Sequence, residues 1–382
     1  MNIPSMPPPI WVDTPSGLQA LAEALMTESV IAVDTESNSL YAYQEQVCLI
    51  QISTPTQDYL LDSLALTDLS VLAPIFASLD IEKIFHAAEY DLICLHRDFG
   101  FTFASLFDTM WAARLLGYKA VGLGALLQRH FGVEPDKRYQ RANWGRRPLS
   151  PEQLTYAQLD THYLIPLRNQ MQEALKKAGM WELAKEDFDR FCRLNHTNGE
   201  RNNIPCWQRI KNARKLTPRQ AAILQELCAF REKVARRQNR PRFKVIGDKT
   251  LLQLAQTAPQ DWNALHNSGA LSRKQIERYG RSILRAIQRG VRARELYAPS
   301  TPRPSDAYLF LMDAMHSWRK ETARRLGVES DVILPRNIMQ RIVAQEPHTL
   351  PELAQVMEDT PWRFEHFGAE ILDVILHPGK HA

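Results

Sequence analysis

Five side chains in this 382-residue chain, Asp34, Glu36, Asp91, Tyr156 and Asp160, are four carboxylates and a phenol at spacings suited to two divalent cations with a tyrosine beside them. Hydrolysis of a nucleic-acid phosphodiester is the chemistry that such a set performs. The first pair closes the run Val30-Ile31-Ala32-Val33-Asp34-Thr35-Glu36, which reads as a buried strand, and strand periodicity puts residues 34 and 36 on one side. Two carboxylates in so small a space repel each other unless a cation neutralises them, so the pair suits a hard-metal site.

The last pair lies in Ser150-Pro151-Glu152-Gln153-Leu154-Thr155-Tyr156-Ala157-Gln158-Leu159-Asp160, which opens with a helix-start signal. Ser150 is the N-cap, Pro151 fits the first helical position and Gln153 completes a capping box. Tyr156 and Asp160 then stand one turn apart on one helix face. Asp91 follows the short apolar strand Lys83 to Phe85, at the start of a helix, where its carboxylate can lie near the sheet end. His86 reads as a core or supporting histidine rather than a ligand, and Asp108-Thr109 as a helix cap.

At these residues the chain resembles the ribonuclease D family, within the exonucleases named for four acidic ligands and a tyrosine. The resemblance covers Val33-Asp34-Thr35-Glu36, Phe85-His86-Ala87-Ala88-Glu89-Tyr90-Asp91, Phe107-Asp108-Thr109, Trp144-Gly145-Arg146-Arg147-Pro148-Leu149 and Tyr156-Ala157-Gln158-Leu159-Asp160, in family order. It implies an α/β ribonuclease H-like exonuclease domain in which Asp34, Glu36, Asp91 and Asp160 bind two metal ions, Mg2+ or Mn2+, and Tyr156 holds the attacking water. It also implies stepwise removal of nucleoside 5′-monophosphates from an RNA 3′ end. Thr155 stands where a sister subclass has a histidine, which indicates the tyrosine form. Asn143-Trp144 departs from the family's usual Asp-Trp and removes a charge from a segment expected to face substrate.

The elements that must position these groups alternate as an α/β domain should. Strands are expected at Ile31 to Asp34, Val47 to Ser53, Tyr59 to Asp62 and Lys83 to Phe85, the early ones forming a meander. Helices are expected at Leu18 to Met26, Leu69 to Ala77, Asp91 to Arg97, Asp108 to Leu116, Leu123 to Phe131 and Glu152 to Lys177. A polar stretch from Asn195 to Pro205 reads as the linker that ends this domain. The expected divisions are an exonuclease domain over 1–195 and two small all-α helical-bundle domains over 205–296 and 304–378.

Those two helical domains are visible as an internal repeat. Phe230-Arg231 matches Trp318-Arg319, Ala235-Arg236-Arg237 matches Ala323-Arg324-Arg325, and Pro259, Leu265, Gly280 and Ile283 match Pro347, Leu353, Gly368 and Ile371, always 88 residues apart. Pro299 to Pro304 reads as the hinge between the copies. The first copy resembles the helical domain that helicases and ribonuclease D share, a nucleic-acid-binding module, and its repeat resembles a more divergent member.

Charge separates the copies. Residues 201–298 hold 22 Lys and Arg against 6 Asp and Glu, residues 1–200 hold 16 against 25, and residues 299–382 hold 9 against 12. One strongly basic module thus lies between two acidic ones, which points to polyanion binding. Its cations cluster in Arg209 to Arg219, Arg231 to Arg242 and Arg273 to Arg294, with Trp207, Phe243 and Tyr279 nearby as stacking groups.

No apolar run approaches the ~18 residues that cross a bilayer, and Met1 to Ile10 lacks the hydrophobic core of a signal peptide, so the expectation is a cytoplasmic protein with no membrane partner. The five cysteines, widely spaced and without a Cys-x-x-Cys pair, argue against zinc and a disulfide scaffold. The reading that unites these features with the resemblance is a metal-dependent 3′-5′ exoribonuclease acting on RNA, its direction and its expected substrate, tRNA precursors, being what the resemblance implies. A DNA exonuclease of repair and a non-catalytic RNA-binding scaffold are the alternatives.

Overall fold

The computed structural model describes residues 6–193, 204–299 and 303–380. Its sheet has six strands in the order β1-β4-β3-β2-β5-β6: β1 Ile10–Val12, β2 Val30–Ser37, β3 Val47–Ser53, β4 Asp58–Leu61, β5 Glu82–Phe85 and β6 Leu106–Asp108. The expected meander is present as neighbouring β2, β3 and β4, with β3 antiparallel to β4. On the other side β2 runs parallel to β5, and β5 parallel to β6. The chain therefore leaves β2 toward one edge and returns to its other flank, and such a divergence opens a crevice at the carboxyl ends of the strands.

Helices cover the sheet: α1 Pro15–Met26, α2 Ala73–Ala77, α3 Glu89–Phe99, α4 Thr109–Leu115, α5 Leu123–Phe131, α6 Pro151–His162, α7 Leu164–Lys177 and α8 Trp181–Arg193. Where one helix was expected over Glu152 to Lys177, the structure has two, meeting at Tyr163. Pro166 explains the break, since a proline has no amide to give the carbonyl of His162 and its ring collides with that carbonyl. The core beneath includes Ile31, Ala32, Val33, Ile84, Phe85 and Phe107, all fully buried.

The basic module contains α9 Cys206–Arg209, α10 Pro218–Arg237, α11 Arg242–Val245, α12 Asp248–Thr257, α13 Trp262–Asn267 and α14 Arg273–Arg292. A side chain at Gly290 would put its Cβ 2.4 Å from the Ile223 Cα, so glycine is what lets α14 press against α10. Trp207 and Tyr279 are buried in the core of this module, which removes them as stacking groups. Their rings supply packing area that short helices need, Tyr279 lying edge-on to Phe230; of the three expected, Phe243 alone is exposed.

The second copy contains α15 Asp306–Leu326, α16 Ser330–Ile333, α17 Arg336–Gln345, α18 Leu350–Val356 and α19 Pro361–Leu376. The repeat read from sequence holds in atomic detail. Trp318 meets Phe367 as Phe230 meets Tyr279, both pairs at 6.0 Å and 72°. Arg319 donates to the Leu334 carbonyl at 3.0 Å as Arg231 does to that of Ile246 at 3.1 Å. Ala258 and Glu346 end corresponding helices in the same left-handed conformation, each at φ 43°. Most of the expected linker over Asn195 to Pro205 and the middle of the hinge over Pro299 to Pro304 lie outside the described residues.

Chain contacts group residues 303–382 with the exonuclease residues in one compact unit, and Ser37–Gln46 with Thr197–Pro302 in another. Among the described residues no helix is long and apolar enough to cross a membrane.

Candidate active site

A cavity of about 660 Å³ opens in the exonuclease domain, lined by Asp34, Glu36, Tyr156 and Asp160 among others. Each of these arrives by a separate local rule. Asp34 and Glu36 alternate onto one face where β2 outruns the sheet core: the β2–β5 register pairs Ala32 with Ile84 and places position 34 level with His86, just past the end of β5. Tyr156 and Asp160 come from α6, whose start carries the full capping box of Ser150 and Gln153 behind Pro151. One turn apart, both face the cavity, and the phenol donates to the Asp160 carboxylate.

Asp91 arrives by the loop between β5 and α3. Ala87 there takes a left-handed φ of 66°, a strained conformation for a residue with a Cβ. Asp108, at the end of β6, holds the loop in that shape, accepting from the Ala87 amide at 3.2 Å and the Ala88 amide at 2.8 Å. The same carboxylate caps α4 through the Trp111 amide at 3.0 Å, so the expected helix cap also shapes the route to α3. Asp91 then sits in the first turn of α3 and accepts the Thr35 hydroxyl at 2.5 Å. It is not part of the cavity lining, yet its charge is felt by Asp34, Glu36 and Asp160.

The four carboxyls share an unfavourable field. Burial pushes the Glu36 carboxyl up to about 9, with repulsion from Asp160 and Asp91 adding to it. Burial likewise takes Asp160 to about 8, against the hydrogen bond from Tyr156, and Asp91 to about 7, against that from Thr35. Asp34 moves well above the ordinary carboxylate range through burial and then the charges of Asp91, Asp160 and Glu36. Burial beside these acids also raises the Tyr156 phenol, which therefore stays protonated and able to donate. Among the described residues no group of three or more His, Cys, Asp or Glu side chains is already arranged to hold a metal ion. The donor set itself is all carboxylate oxygen, which fits a hard divalent cation and no soft one.

Other groups line the cavity that sequence reading did not single out. Lys137 and Gln140 lie there, together with Gly122, Leu123, Gly124 and Ala125 from the start of α5. Lys137 opens a short 3-10 helix, Lys137–Arg141, and carries no distinguishing sequence mark, although Gly122 and Gly124 flanking a helix start offered a hint. His86 also lines the cavity, and its Nδ1 lies 2.9 Å from the Thr109 hydroxyl. That hydroxyl gives its proton to the Phe85 carbonyl, so it accepts from Nδ1. Burial lowers the His86 pKa, which keeps the ring neutral and leaves Nε2 as a lone-pair acceptor.

Known proteins resemble both the exonuclease domain and the helical copies. A family model described as 3′-5′ exonuclease matches residues 9–176, and one described as HRDC domain matches residues 220–287 and again 309–375. Ribonuclease D of Gluconacetobacter diazotrophicus is 30% identical over 378 residues, covering 96% of this chain and 92% of that protein. The exosome complex exonuclease RRP6 of Saccharomyces cerevisiae is 35% identical over 268 residues, 66% of this chain but 36% of that protein. The chain thus spans about a third of the length of its RRP6-type relatives. Among solved structures, Escherichia coli RNase D, described as an exoribonuclease involved in structured RNA processing, superposes with a TM-score of 0.69 at 25% identity, covering 97% of this chain and 99% of that one.

Proposed function

We propose, from the premise that this chain belongs to the ribonuclease D family, that it is a metal-dependent 3′-5′ exoribonuclease that trims structured RNA, tRNA precursors in particular, releasing nucleoside 5′-monophosphates. One observation carries the reading. Asp34, Glu36 and Asp160 line one cavity with Asp91 close enough for its charge to reach them, and burial and mutual repulsion raise all four carboxyls above their ordinary range, a costly arrangement that divalent cations would relieve. A scaffold that only bound RNA would have no use for it.

Asp34, Glu36, Asp91 and Asp160 would hold two ions, Mg2+ or Mn2+. When bound, these ions supply an acidified water and charge neutralisation at the leaving oxygen. The chain's own residues do the rest. Tyr156, kept as a phenol, could turn its single proton from Asp160 to the attacking water once that carboxylate holds a cation, fixing the water in the line of approach. His86, held neutral with Nε2 unprotonated, can accept from a sugar hydroxyl or from water. Lys137 can meet a phosphate of the terminal nucleotide, and the amides at the start of α5 add a positive dipole end to the same wall. The basic module of residues 204–299 would hold the body of the substrate. The five cysteines, all free thiols, suit the reducing cytoplasm in which such RNA is processed.

The test is a time course on a 3′-extended tRNA labelled separately at each end, with and without chelator. The expected result is loss of label from the 3′ end first, only with Mg2+ or Mn2+, and none with Asp34→Ala. Tyr156→Phe should cut turnover about 10²-fold while metal binding by calorimetry is retained. Full activity in Asp34→Ala, or equal digestion of a matched DNA, would overturn the reading.

A further inference from the structure

The residues that follow Glu36 carry an aromatic and cationic cluster with no part in the chemistry above. Ser37–Gln46 group with the basic module in one compact unit, and within it the Tyr43 amide donates to Asn239 Oδ1 at 3.1 Å and its hydroxyl to Glu232. The guanidinium groups of Arg242 and Arg236 lie 5.1 and 5.7 Å from the Tyr43 ring centre. Lys244 Nζ lies 4.2 Å from that of Tyr41. Between Arg242 and Lys244 in sequence, Phe243 is 55% exposed.

A ring face orients a cation without cancelling its charge, as a carboxylate would. Glu232 offsets Arg242 at 3.0 Å, but the module as a whole has 22 Lys and Arg against 6 acids. What results is a set of aimed positive heads flanking a large ring left in water. An acidic peptide would satisfy the cations and leave Phe243 wet. A nucleic-acid duplex would present phosphates but keep its base faces stacked inside. A single strand offers both phosphates and flat base faces at neighbouring positions.

We infer that Tyr41, Tyr43, Arg236, Arg242, Lys244 and Phe243 form a platform for single-stranded RNA, with a base stacked on Phe243 and phosphates on the three cations. The choice of RNA rests on the reading under Proposed function. Tyr41 is five residues after Glu36 in the sequence. The platform is thus tied covalently to the strand that carries two of the four carboxylates.

The experiment uses the full chain and a fluorescent oligouridylate of about 12 nucleotides, with binding read by anisotropy in chelator so that no chemistry is required. Phe243→Ala is expected to weaken binding about ten-fold, and Phe243→Trp, which keeps a stacking face, to restore it. Arg242→Gln with Lys244→Gln should lower the slope of log affinity against log salt by about 1.4, two phosphate contacts of a single strand. Phe310→Ala, at a ring 46% exposed in the acidic second copy, should change nothing. Unchanged affinity in Phe243→Ala, equal losses in Phe243→Ala and Phe310→Ala, or a polyglutamate that competes as well as the RNA would each overturn the platform. If the parent binds through Phe243 yet cleaves nothing, the platform stands and the catalytic reading falls.

Discussion

At the scale of single residues, Asp160 sets function against stability. Its carboxyl is pushed up to about 8, Glu36 to about 9 and Asp91 to about 7, from an ordinary range near 4. With folded pKa values above unfolded ones, the folded protein keeps protons that the unfolded chain releases, so stability must fall as pH rises through this window. In chelator the midpoint of thermal unfolding should therefore drop between about pH 6 and 9, and saturating Mg2+ should flatten the slope. Asp160→Asn should abolish RNA hydrolysis and yet raise the melting temperature of the chelated protein at pH 8. That is the reverse of what replacing a buried hydrogen-bonded group usually does, and calorimetry with and without Mg2+ at both ends of the window decides it. A lower melting temperature for the variant would show that the carboxylates do not strain one another. That Asp34 and Glu36 share one face, and Tyr156 and Asp160 another, was legible in sequence because strand and helix periods fix those faces: alternate residues on β2, one turn on α6; Asp91, which arrives by a loop, follows no such period. Lys137 and Gln140 were not legible, since they sit on the short 3-10 helix Lys137–Arg141, whose place against the cavity no period encodes. Trp207 and Tyr279 were misread for a related reason, because the sequence pattern shows aromatic rings among cations without showing which rings face inward.

At the scale of elements, α6 needs a fixed seat, and a buried polar hub provides one. Asp58, the first residue of β4, accepts from Ser53 Oγ at 2.6 Å, Gln158 Nε2 at 2.6 Å and His162 Nδ1 at 2.7 Å. Ser53 Oγ also lies 2.7 Å from the Thr161 hydroxyl. Burial pushes the Asp58 carboxyl up, but the bonds from His162, Gln158 and Ser53 outweigh it and hold the group below its ordinary value. The bonded positions 158, 161 and 162 lie across α6 from Tyr156 and Asp160, so the hub sets the rotation of the helix that aims them. Asp58→Ala leaves several donors buried without an acceptor and should cost about 3 kcal/mol in denaturant unfolding. Asp58→Asn, which keeps the shape and part of the bonding, should cost less. In both variants turnover should fall more than substrate affinity, because a rotated Tyr156 and Asp160 misplace the reacting groups without removing them. A variant that unfolds more readily but turns over at the parental rate would reduce Asp58 to a stabilising role. The start of α6 could be read from Ser150, Pro151 and Gln153, whose chemistry is local. Its end was missed although Pro166 marked it, and β1 and β6 were missed because three residues are too few to show a period.

At the scale of the whole molecule, the two helical copies share a fold and have parted in use. The first keeps the cations, while the second, with 9 Lys and Arg against 12 acids, has turned a cation inward. Arg363 of α19 is fully buried and donates to Glu186 at 2.5 Å and Asp187 at 2.8 Å, both on α8 of the exonuclease domain. It also meets the carbonyls of Ile333 at 2.9 Å and Val332 at 2.7 Å. Asp187 in turn accepts the Trp111 indole at 2.7 Å, and Trp111 lies on α4, the helix capped by the Asp108 that shapes the approach to Asp91. Burying three charges is expensive, and the arrangement is favourable only while every partner is in place. Arg363→Ala should therefore destabilise the unit by about 3–5 kcal/mol, well beyond a typical surface ion pair, because Glu186 is left buried without a cation and Asp187 keeps only Arg190, at 3.2 Å. Arg363→Met combined with Glu186→Gln and Asp187→Asn removes the charges together and should recover most of that loss. Denaturant unfolding of the single and triple variants measures both quantities. If the relay through Trp111 matters, turnover of a dinucleotide per folded molecule should fall in Arg363→Ala. It should remain low in the triple variant, whose stability returns while the indole has lost its charged acceptor. Parental turnover in the triple variant would show that the second copy serves the exonuclease domain as a stabilising partner alone.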